Sequence, residues 1–233
     1  MAELTELMKT VMPIIVEHEG STSYIYLDHL GNVTYGVGHN IGKITDPDTL
    51  RKMKAMVLYR DGEKATSNVA LTDLEEERFY YQLKGFFEKN KKLKEGSTIP
   101  EINYPYVYYQ NQYKIKVSET AAKEAFQRDV KVAIDDARYY FKNFDQLPLS
   151  ARAALTELSF ALGANKLPQY KELKQLVQSC DLKAAANEIG VRGWSGKRNA
   201  DVKALLSKNL AVPLPNSCPP PKPKIPSTKF LKK

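Results

Sequence analysis

Glu19, Asp28 and Thr34 bring two carboxyls and a hydroxyl close together in the chain, Asp28 nine residues after Glu19 and Thr34 six after Asp28. Hydrolysis of a glycosidic bond needs one carboxyl that donates a proton to the leaving oxygen and one that stays ionised to support water or the developing sugar cation. Environment, not residue type, would divide those roles: an apolar setting around Ile14, Ile15 and Tyr24 suits a proton donor at Glu19, and a polar loop suits an anion at Asp28. An acid pair alone says little, because 27 Asp and Glu supply some pair at almost any spacing.

Different elements must carry these groups. Over residues 3–19, Leu4, Leu7, Met8, Val11, Ile14 and Ile15 follow the i, i+3, i+4 spacing of a helix with one apolar face, and Gly20 suits its left-handed C′ position. Pro13 should kink that helix or start a second one. Residues 23–44 change period: Tyr24, Tyr26, Val33, Tyr35 and Val37 among Asp28, Gly31, Asn32, Gly36 and Gly38 predict short strands in an antiparallel hairpin. A carboxyl at a helix end, facing a carboxylate and a hydroxyl on a hairpin, can address one glycosidic bond from two sides.

The full string Glu19-Gly20, Asp28, Thr34, Gly36, Gly38 and His39 resembles the catalytic signature of the phage-type lysozymes, the muramidase family of phage endolysins. Two further segments resemble that family: KVSETAAKEAFQRDV over residues 116–130, like the start of the long helix joining its two lobes, and residues 153–163, like its buried central helix. Residues 1–44 and about 115–208 fit the family, whereas residues 45–115 do not and form an enlarged insertion. The resemblance implies Glu19 as general acid, with Asp28 as base or electrostatic partner holding the attacking water together with Thr34. Glu17 is a rival acid, but it lies two residues further from Asp28 and lacks the following Gly.

His39 is expected to fix the β-containing lobe by pairing with a carboxylate, and three His without metal-ligand spacing give no zinc site. Gly36 and Gly38 should serve backbone geometry. Within VRGWSGKRNA at residues 191–200, Trp194 and a downstream Arg resemble the family's Trp and the arginine that positions the catalytic Glu; Arg198 is the candidate and Arg192 the runner-up. Trp194 itself reads as core more than as sugar platform.

Helices are expected from Ser118 onward, capped at Ser118, at Ser150 with an end at Gly163, and at Asp181 with an end at Gly190. The first has an apolar face of Ala122, Phe126, Val130, Ile134, Ala137 and Phe141. In the insertion, the stretch from Leu71 to Phe87 reads as helical, Lys84 to Lys94 is a basic run, and Tyr104, Tyr106, Tyr108, Tyr109 and Tyr113 near Pro100 and Pro105 read as a half-buried strand or packed loop, with glycan stacking as the alternative. Seven of the 13 prolines fall between Pro213 and Pro226, so the folded body should end near Leu210 and residues 211–233 form a flexible Pro/Lys-rich tail. Lys222, Lys224, Lys229, Lys232 and Lys233 supply five charges of the formal +8, leaving +3 on residues 1–221.

With 42% apolar and 27% charged residues, the 233-residue chain has globular composition, which excludes collagen, wholesale disorder and a disulfide scaffold. Cys180 and Cys218 are expected to be free thiols. No apolar run reaches the roughly 20 residues of a membrane span, and the start, MAELTEL, carries acids where a signal peptide carries Lys or Arg. The chain is therefore expected to be a soluble monomer, made in the cytoplasm and reaching the cell wall through a holin or a delivery machine.

The expected fold is α+β and lysozyme-like: a small β-containing N-terminal lobe and a mainly helical C-terminal lobe within a catalytic domain over residues 1–210. The resemblance implies peptidoglycan as substrate, cleaved between N-acetylmuramic acid and N-acetylglucosamine without cofactor or metal. Inversion is expected if the carboxyls stand roughly 6.5–9.5 Å apart, and retention near 5 Å. Competing readings are an antibacterial toxin delivered by a secretion apparatus, with an immunity protein as partner, and a non-catalytic wall-binding tail component; a nucleic-acid binder lacks a groove-reading motif.

Overall fold

A computed structural model describes residues 2–61, 69–93, 96–191 and 193–208 of the chain. The tail from residue 211, Cys218 and Arg192 lie outside the described residues. The fold is α+β with two compact lobes, one of residues 13–129 and one of residues 2–12 and 130–208.

Helix α1, Ala2–Glu19, contributes to both, and Leu7, Val11 and Ile15 are buried along one stripe. Pro13 lies inside this helix without ending it. The end comes at Gly20, which adopts φ +74° and donates its amide to Val16 O at 2.9 Å.

In the lobe of residues 13–129, β1 (Thr22–Leu27), β2 (Asn32–Gly36) and β3 (His39–Lys43) form an antiparallel meander. The chain then passes through α2 (Pro47–Lys54), β4 (Leu58–Arg60), β5 (Val69–Ala70) and α3 (Asp73–Asn90). Helix α3 starts on a reciprocal capping box, in which the Thr72 hydroxyl accepts from the Glu75 amide and the Glu75 carboxylate accepts from the Thr72 amide. A two-stranded hairpin follows, β6 (Lys92–Leu93) with β7 (Pro100–Glu101), then α4 (Tyr106–Tyr113) and β8 (Ile115–Val117). The main sheet has the order β3-β2-β1-β8-β4-β5, so the returning strand β8 extends the N-terminal meander.

Residues 45–115 are part of this lobe's core. Ile44, Met53, Leu58, Phe79, Leu83, Phe87, Ile102 and Tyr109 cluster with Ile25, Leu27, Val33 and Tyr35 of the meander. The tyrosine-rich segment, expected as a strand or loop, is the helix α4: Tyr109 is fully buried, and Lys114 at φ 55° ends the helix. Burial of one face outweighed the strand preference of aromatic residues.

The long helix α5, Glu119–Tyr140, contributes to both lobes; Ser118 Oγ accepts the Ala121 amide at 3.0 Å. In the helical lobe, α6 (Leu149–Leu162) is buried on nearly every side, and α7 (Lys171–Gln178), α8 (Leu182–Glu188) and α9 (Gly196–Ser207) follow. Asp181 caps α8, accepting the Ala184 amide at 3.0 Å. Two expectations fail here. Ser150 lies inside the first turn of α6, which begins after Pro148, and its hydroxyl donates to Lys208 O at 3.3 Å. Cys180 is not a free thiol but disulfide-bonded. No helix among the described residues is long and apolar enough to cross a membrane.

Candidate active site

Glu19 is the last residue of α1 and is exposed, so the apolar enclosure expected for a proton donor is not what surrounds it in the described structure. The turn after β1 carries Asp28. Its Oδ1 accepts the amides of Leu30 at 2.9 Å and Asn32 at 2.8 Å, and its Oδ2 accepts Asn32 Nδ2 at 2.7 Å. A carboxylate offers about four lone-pair sites, so three donors fix its orientation and leave capacity for one more, such as a water.

The turn's backbone is tied as firmly. The Asp28 amide donates to Asn32 O, the Gly31 amide to Asp28 O, and the Ile44 amide to Gly31 O. Gly31 has φ +76°, and the Phe87 ring of α3 packs against it. The amide of Ile102 donates to His29 O at 2.9 Å. Residues 45–115 therefore support the Asp28 turn directly, through Phe87 and Ile102.

Thr34 lies on β2 and is only 3% exposed. Its hydroxyl donates to Asn32 O at 3.0 Å, so toward a water it offers acceptor lone pairs only.

Tyr26, which the sequence reading did not single out, connects these groups. It is paired across the strands with Thr34, so the two side chains share a face of the sheet. Burial, then the charges of Asp28 and Glu19, push its phenol up to about 12. Both carboxyls thus act on one phenol within this lobe. The available signal was position: Tyr26 lies two residues before Asp28, at the end of the strand that leads into the Asp28 turn.

His39 pairs with Asp129, Nδ1 to Oδ2 at 2.7 Å, and its ring meets Tyr35 edge-on at 4.9 Å. Gly36 and Gly38 have φ of 65° and 73°, and a Cβ on Gly36 would sit 3.5 Å from Ala122 O.

Arg198, in the helical lobe, engages a partner that the sequence did not suggest. Its Nε donates to Glu157 Oε1 at 2.9 Å and its Nη2 to Oε2 at 3.1 Å, while the guanidinium lies 4.3 Å from the Trp194 ring centroid. Glu157 is fully buried in α6. A lone acid within the run AALTEL at residues 153–158, otherwise Ala, Leu and one Thr, was the sequence signal, since a buried carboxylate needs a cationic or hydrogen-bonding partner.

Within this lobe, then, Glu19 ends a helix and Asp28 is an anchored carboxylate on a fixed turn, with room for one more donor such as a water. The sequence matches no protein-family model and no curated protein.

Proposed function

We propose that this chain is a peptidoglycan hydrolase that cleaves the β-1,4 bond between N-acetylmuramic acid and N-acetylglucosamine, as a phage endolysin does. Glu19 gives its proton to the glycosidic oxygen as the C–O bond breaks. Water attacks the sugar carbon and loses a proton to Asp28, while Thr34 accepts a hydrogen bond from that water. The observation that carries this reading is the fixed Asp28 turn: its carboxylate is held by three donors, Thr34 follows on β2, and Glu19 ends α1 in the same compact lobe. The resemblance of the Glu19-to-His39 string to the phage-type lysozymes supports the same assignment, and a water between carboxylate and sugar corresponds to inversion.

The test is turbidity loss of outer-membrane-permeabilised bacteria or purified sacculi with wild type, Glu19→Gln and Asp28→Asn. Each variant is expected to lose at least about 10²-fold in rate with its far-UV circular dichroism unchanged. Equal activity in all three proteins overturns the proposal.

A further inference from the structure

A cavity lies between the C-terminal end of α3 and the β6–β7 hairpin. Its volume is about 500 Å3, and Lys89, Lys92, Asn103 and Tyr104 line it with Ile102 and Glu101. That volume falls in the roughly 300–1,000 Å3 range of small-molecule sites. Lys91 also lines it but is occupied elsewhere: it pairs with Glu88 at 2.5 Å, and its ammonium lies 5.9 Å from the Phe87 ring centroid.

Three features make this a prepared site. Lys89 and Lys92 have no ion-pair partner among the described residues, and together they outnumber Glu101, the carboxylate of the lining, which lies opposite Lys92 across the hairpin. The Asn103 amide likewise has no hydrogen-bond partner among the described residues. Tyr104, in contrast, is held on three sides: its hydroxyl donates to Asn90 Oδ1 at 3.1 Å, and its ring packs on Phe86 at 4.9 Å and on Tyr108 at 4.8 Å. An aromatic ring already immobilised loses little entropy when a ligand stacks on it.

The chemistry of the lining selects the ligand. Lysine ammoniums act as point charges suited to phosphate. A fixed tyrosine ring and a primary amide suit the apolar face and the hydroxyls of a sugar. We infer that this cavity binds a phosphorylated sugar, as part of a phosphate-bearing glycan. The site is distinct from the Glu19–Asp28 pair but adjoins it, since Ile102 lines the cavity and its amide holds His29 next to Asp28.

Calorimetric titration of the full chain with N-acetylglucosamine 6-phosphate tests this without any hydrolysis, so its outcome is separate from that of the sacculus assay. The sugar phosphate should bind at least tenfold tighter than N-acetylglucosamine or inorganic phosphate. The double variant Lys89→Gln/Lys92→Gln and the variant Tyr104→Ala should each weaken binding at least tenfold. If Tyr104→Ala disturbs folding, backbone-amide NMR shifts of the wild-type chain must localise the sugar phosphate to residues 89–92 and 101–104. Binding that inorganic phosphate matches, that a single-stranded oligonucleotide exceeds, that the lysine variants leave unchanged, or that maps elsewhere overturns the inference.

Discussion

Gly31 lies so close to Phe87 that a Cβ on the glycine would sit 2.4 Å from ring carbon Cε2. A left-handed backbone and a bulky neighbour thus both exclude a side chain from the turn that carries Asp28. Gly31→Ala should destabilise the fold by about 2–4 kcal/mol, combining the left-handed penalty with overpacking. Urea unfolding checks this, and Phe87→Leu in the same chain should recover at least about 0.5 kcal/mol as a coupling energy. Additive losses would show that ring and glycine do not interact.

The buried pair of Glu157 and Arg198 makes a second prediction. Glu157→Gln leaves a buried guanidinium without its counter-charge and should cost about 3–5 kcal/mol. Glu157→Leu combined with Arg198→Met removes both charges and should cost markedly less. Thermal unfolding of the two proteins compares them, and an equally unstable double variant would argue that helix packing, not charge, dominates.

Asp61 ties together Tyr24 and Lys116, which face each other across β1 and β8. The Tyr24 phenol donates to one carboxylate oxygen and Lys116 Nζ donates to the other at 2.7 Å. These donors hold the Asp61 carboxyl below the usual carboxylate range. A depressed acid contributes stability that is present above its unfolded value and is lost as pH falls through its folded value. The same carboxylate pushes the Tyr24 phenol up to about 12. A raised phenol contributes stability that is present below its unfolded value and is lost as pH rises through about 12. In a profile of Tm against pH, Asp61→Asn should flatten both limbs and Tyr24→Phe mainly the alkaline one. Unchanged profiles would remove the network from the stability balance.

Tyr109 offers the opposite case, a buried hydroxyl with no hydrogen-bond partner among the described residues. Removing it relieves a desolvation cost while keeping the ring contacts to Phe86, Tyr108 and Tyr113. Tyr109→Phe should therefore raise stability by about 1 kcal/mol. A lower midpoint in urea would mean that the hydroxyl has a partner in solution.

What was legible in the sequence was what neighbouring residues decide. Ser118 and Asp181 cap their helices, Gly20 ends α1, and the turn residues between Tyr24 and Val37 mark the meander, because each acts on backbone a few residues away. Glu19, Asp28 and Thr34 were singled out by the resemblance of their whole string to the phage-type lysozymes, not by type and spacing alone. Tyr26 was not, since its significance comes from the field of two carboxyls and from a cross-strand partner. Glu157 was hidden for a similar reason, its guanidinium partner lying 41 residues away in sequence. Helix α4 defied local preference because Tyr109 is drawn into a core assembled from distant segments.

Strand β1 is flanked on one side by β2, a few residues on, and on the other by β8, with Tyr24 opposite Lys116. A ribosome making this chain releases the first hairpin long before the segment that closes its second edge. Until Val117 emerges, β1 keeps a row of unpaired amides and carbonyls that any other nascent strand can copy. Translation speed across the intervening stretch, and any chaperone holding it, should consequently influence the yield of native protein.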